Sequence, residues 1–230
     1  MSPRWRHTVI SAACLVLPAG WAAHSRAGTQ PGPRTIDTVA LPARADGLRW
    51  HVVNSATAPG ERVVEMVPDG QSKAAWSQIV TVKTLDGRDP LAVVNGTVDL
   101  LRKICRTLHV VRVAHHQSLG KTAEPDRKSI PLPVIEVDEV LLTCRDPDPA
   151  KLPADQPVAL RPVEVTWYKI MRCGGLGYIV QRGWHGSAFG GTVLGSPAVL
   201  DAWKRWMTSV TILREARGPG APSTRASPPI

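Results

Sequence analysis

VEVTWYKIMRCGGLGYIVQRGWHG, residues 163–186, is the stretch whose reading decides the fold. Val163 to Cys173 is rich in β-branched and aromatic types, and a run of the same character resumes at Gly177. The join falls at Gly174-Gly175-Leu176, so the segment reads as a β-hairpin. Alternation puts Val163, Val165, Trp167, Met171 and Cys173 on one face, which must be buried.

Working outward, Arg49–Asn54 and Glu61–Pro68 read as a hairpin around the turn SATAPG. Strand character returns at Ile79–Leu85, Leu108–His116 and Val134–Cys144. Ser72 is placed to cap a short helix reaching Gln78, with Trp76 packing inward. A longer helix spans 90–106, with Asp89 as N-cap and Pro90 at the first helical position, where a missing N–H costs nothing. Its stripe is Leu91, Val94, Val98, Leu101 and Cys105. Ser196-Pro197 repeats the signal for a helix to Leu213, with Val199, Trp203, Trp206, Val210 and Leu213 inward. Strand runs with two main helices predict an α+β domain, a mainly antiparallel sheet with both helices packed on one face.

The first 27 residues read as an export signal: Arg4 and Arg6 without an acid, an apolar run broken by Pro18 and Gly20, and small residues at Ser25 and Ala27. The expected cut follows Ala27; the rival is a lipoprotein anchored through Cys14, with only Val9–Ala13 apolar before it. Residues 28–48, rich in Pro, Gly and Ala, read as a flexible linker. Residues 49–213 form the single domain, and 214–230 a disordered Pro/Ser-rich tail. The formal charge of +9 falls to +6 once three arginines leave with the signal. The basic residues are scattered rather than arrayed with aromatics, which speaks against specific nucleic-acid binding. An envelope protein or anionic envelope polymer is the expected partner, and no later segment is long and apolar enough to span a membrane.

Cys105, Cys144 and Cys173 survive cleavage, an odd set that makes one disulfide and one leftover thiol in an oxidising compartment. The pattern Glu65-x-x-Pro68-x-Gly70-Gln71, then Trp76 and Thr81-Val82, resembles a group of small exported bacterial proteins that are themselves uncharacterised. The likeness covers roughly 60–210 and brings no catalytic residues with it. It implies a disulfide between Cys105 and Cys144, leaving Cys173 free.

His115-His116 is the most site-like pair, but neighbours on a strand point to opposite faces and cannot share one metal without a bend. Asp138-Glu139 is split the same way, against a two-carboxylate hydrolase. No phosphate-cradling or nucleophile-elbow motif occurs, so neither cofactor nor metal is expected. Cys173 continues an apolar face and reads as a structural thiol. The expectation is a non-catalytic binding or accessory protein, contacting its partner through Tyr178, Gln181, Arg182 and Trp184. The alternatives are a hydrolase using Cys173 or His185 in an undisclosed cleft, and an envelope secretion or surface component docking through its tail.

Overall fold

A computed structural model describes residues 35–42, 47–122, 132–151, 163–186 and 197–216. The expected signal segment, most of the expected tail and the Pro-rich stretch 152–162 lie outside the described residues. Ten strands and two helices run in the order β1 (Thr35–Ala40), β2 (Trp50–Ala58), β3 (Glu61–Pro68), β4 (Gln78–Asp86), α1 (Pro90–Ile104), β5 (Cys105–Leu119), β6 (Lys121–Thr122), β7 (Val134–Pro147), β8 (Val163–Cys173), β9 (Leu176–Gly186), α2 (Pro197–Ser209) and β10 (Thr211–Ala216).

The hairpin of 163–186 is the centre of the molecule. β8 and β9 pair from Val163↔Gly186 to Cys173↔Leu176. Gly174 and Gly175 turn the chain with φ of 57° and 83°, a region glycine enters without a Cβ clash. Around them a seven-stranded sheet forms in the order β2-β3-β4-β9-β8-β7-β5, every neighbouring pair antiparallel. A smaller sheet, β1-β10-β6, pairs β1 antiparallel and β6 parallel to β10.

The α+β class and antiparallel sheet stand, but the two helices do not share a face. Val94 and Val98 of α1 pack with Leu85, Tyr168, Ile170 and Ile179. Trp203, Trp206 and Met207 of α2 pack with Trp167, Met171, Tyr178 and Val180. Successive residues of a strand point to opposite sides, so the helices cover opposite faces of β8 and β9. The second phase of the hairpin sets Tyr168, Ile170 and Ile179 among polar residues and glycines, and α1 covers that smaller apolar patch. Close approach fixes α1 in place, because a Cβ on Gly177 would lie 2.8 Å from Pro90 Cδ.

Three other expectations are corrected. The supposed linker contains β1, because Asp37, Val39 and their neighbours find a partner strand that only the far end of the chain supplies. The second helix stops at Ser209; Leu213 lies in β10, which also claims the first residues assigned to the tail. Residues 71–77 form no helix. Gln71 closes them as a loop instead, accepting from the Ser77 N–H (2.8 Å) and donating to the Ser77 hydroxyl (3.0 Å). Trp76 there stacks on His185, ring centroids 3.8 Å apart.

Cys105 and Cys144 are disulfide-bonded, as the resemblance implies, and Cys173 is a buried free thiol. The bond ties the C-terminal cap of α1 to β7 across a sequence separation of 39. Closing a loop of this size contributes about 3–4 kcal/mol in the chain-entropy account. Cys105→Ser/Cys144→Ser should lose that much in a urea unfolding titration, with the slope of the transition reporting whether the unfolded chain also expands.

Candidate functional site

Two places concentrate polar chemistry, one inside the protein and one on its edge. The inner one lies beneath α2. Alternation that buries Trp167 and Met171 also buries Lys169 between them, and the same phase of β7 and β9 carries Glu139 and Arg182 inward. Lys169 Nζ donates to the carbonyls of Met207 (2.8 Å) and Val210 (2.9 Å). Those carbonyls belong to the end of α2, where acceptors are left over and the helix dipole favours a cation. Glu139 sits 3.9 Å from Lys169 and accepts from Trp167 Nε1–H at 3.1 Å. Burial lowers the lysine's pKa, and the glutamate's charge works against that shift.

Arg182 is fully buried beside this group. Its guanidinium lies 4.6 Å from the Trp203 ring centroid, 5.2 Å from Trp206 and 6.0 Å from Trp50. It donates to Gln78 Oε1 at 3.2 Å. Stacked against aromatic faces, a desolvated guanidinium is held by cation–π attraction of up to about 2 kcal/mol.

This disposes of part of the expected contact surface. Tyr178 and Arg182 are interior residues, and Trp184 is half-buried against the same apolar cluster. Tyr178 donates its hydroxyl to the Asp37 carbonyl at 3.1 Å, binding the small sheet to the large one. Of the four, only Gln181 and part of Trp184 reach solvent. Arg182, which would make an interface anchor, serves here as internal packing, an ambiguity that residue type alone does not resolve.

Cys173 likewise belongs to the scaffold. Its thiol donates to Asp37 Oδ2 at 3.5 Å, and Asp37 is clamped by Arg214 through two bonds of 2.7 Å. Burial, with the Asp37 charge adding to it, pushes the thiol up to about 11. His185 stands at the other end of the hairpin, paired with Glu164, roughly 30 Å away along the ladder at about 3.3 Å per residue. The two cannot form a nucleophile–base pair. His185 instead stacks on Trp76 and bonds its carbonyl through Nε2.

His115 and His116 lie opposite Asp138 and Val137, so their side chains do point apart. His115 Nδ1 meets the buried Asp138 at 2.9 Å. Arg172 reaches the same carboxylate (3.2 Å) and also Asp89, the cap of α1 (3.0 Å). That network anchors a helix to the sheet. Among the described residues no three His, Cys, Asp or Glu side chains gather as a metal site, and no helix is long and apolar enough to cross a membrane.

The outer place is the groove between α1 and the β5–β7 end of the sheet, about 350 Å³. Leu91, Val94, Val98 and Val140 form its floor, with Arg102 and Arg112 on its walls. β5 beside it was expected only as residues 108–116; it is 15 residues long and mostly exposed.

No protein-family model matches the chain, and neither the curated proteins nor the solved structures contain a significant match.

Breaking the inner network should be costly. Lys169→Ala strands Glu139 and two helix-end carbonyls, and should lower unfolding free energy by about 3–5 kcal/mol. Trp184→Ala should lose about 2 kcal/mol, since half of a large aromatic leaves the core. Chemical denaturation of each variant checks both.

Proposed function

We propose that the protein is an exported, non-catalytic binding or accessory protein of the bacterial periplasm or cell envelope. The observation that carries this reading is how its interior reactive groups are used. Lys169, Glu139 and Cys173 each face a structural partner within 4 Å. A nucleophile needs an accessible site and a base at bonding distance. The free thiol has a carboxylate, an arginine and a raised pKa. The disulfide supports an oxidising compartment, where such bonds persist. The open, valine-floored groove beside a cationic strand supports binding, because apolar concavities with a few placed polar groups are where ligands settle.

The test is reactivity of the folded protein. Iodoacetamide at pH 8 should label Cys173 no faster than global unfolding exposes it. The sign follows from the raised pKa: folding favours the protonated thiol, so its contribution to stability is complete below the unfolded value and falls away as pH rises through about 11. Rapid stoichiometric labelling at pH 7, or saturable reaction of the folded chain with a fluorophosphonate probe, would replace this reading with a hydrolase.

A further inference from the structure

We infer that β5 is a docking edge that takes an extended acidic segment of another protein as an added strand. This rests on the reading of the protein as a binding module and names the chemistry of its partner. β5 ends the seven-stranded sheet and, among the described residues, is ladder-bonded on one side only, to β7. A strand edge with unpaired N–H and C=O groups is a template for another chain, and natural edges are usually short, charged, bulged, covered or broken by proline. β5 runs for 15 residues without Pro, Gly, Asp or Glu. Its one interruption is an irregularity between Arg112 and Ala114.

Charge selects the occupant. Arg106, His109, Arg112, His115 and His116 are all exposed along this edge. Of the acids close by, Asp99 pairs with Arg102 at 2.7 Å and Glu136 with Arg172 at 3.9 Å, while buried Asp138 is shared among His115, Arg172 and, at 3.9 Å, Arg112. A second copy of the chain pairing through β5 would bring Arg106 and Arg112 towards their like, which destabilises a ladder. Acidic side chains alternating with apolar ones would meet Arg106 and Arg112 on an incoming strand. With the acids on the face of Arg106 and Arg112, the apolar positions alternate onto the other face, where Val111 is 52% exposed. Backbone bonds would supply affinity and the alternating side chains selectivity, the division of labour in strand addition.

The probe is a fluorescein-labelled octapeptide alternating Glu and Val, titrated by anisotropy against the full chain. Controls replace Glu with Lys, or N-methylate alternate amides so that no ladder can form. Saturable binding is expected for the Glu peptide alone, weakened about tenfold by Arg106→Gln/Arg112→Gln, with slowed hydrogen exchange confined to β5. Unfolding midpoints of the variant guard against a folding defect, and the N-methyl control uses unaltered protein throughout. No binding, or equal binding of the N-methylated peptide, overturns the inference. So does competition by phosphatidylglycerol vesicles against a peptide that needs no free amides, which would make the edge a charge-only surface, and so does dimerisation through β5. None of these results bears on the thiol-labelling outcome, so the two readings fail separately.

Discussion

The structure turns on one buried contact: a lysine of the central strand reaching the carbonyl end of the helix that covers it. A helix end under a sheet leaves acceptors that water cannot reach, and each orphan costs on the order of 1–3 kcal/mol. Lys169 meets two of them, at Met207 and Val210. That places an ammonium in the core, and Glu139 is its counter-charge. The glutamate in turn satisfies the indole of Trp167. Helix position, strand register and the packing of three tryptophans are thereby linked. Sliding β7 by one residue would exchange Glu139 for a neighbour of opposite orientation and expose the lysine's charge to apolar walls.

The other face is held by different means. Asp89 caps α1 through the Leu91 N–H, and Arg172 joins that cap to Asp138 on β7. Pro90 sits against Gly177, where any larger residue would collide. The two helices are thus fastened by ionic contacts from one strand, β8, whose Lys169 points one way and Arg172 the other. The hairpin is both the middle of the sheet and the bolt through its two coverings. Lys169 and Arg172 are committed to this task, and the sheet ends beyond β7 on the long, mostly exposed strand β5.

Much of this was legible from residues alone, and the failures have physical causes. Period-two alternation located β8 and β9, and Asp89-Pro90 located the start of α1 to the residue. Lys169 was invisible because a charged residue inside an apolar phase reads as an interruption until its acceptors, 38 and 41 residues away, are known. β1 escaped notice for a related reason: short, Thr-containing strands acquire their character from a partner, and its partner begins at Thr211. Trp76 and Trp184 carried no mark distinguishing a packed ring from an exposed one. The Cys105–Cys144 pairing followed from resemblance, not from spacing.

The pairing of β1 with β10 bears on the order of events in folding. The opening strand of the small sheet must find a segment far along the chain, in Thr35↔Ala216 register, with Asp37 and Arg214 177 residues apart. Until then Asp37 has no Arg214, Tyr178 no carbonyl to hold, and the thiol of Cys173 stays uncovered. Contacts so distant in sequence form late, after the loop entropy between them has been overcome. That end of the protein therefore closes late in folding, when β10 joins β1.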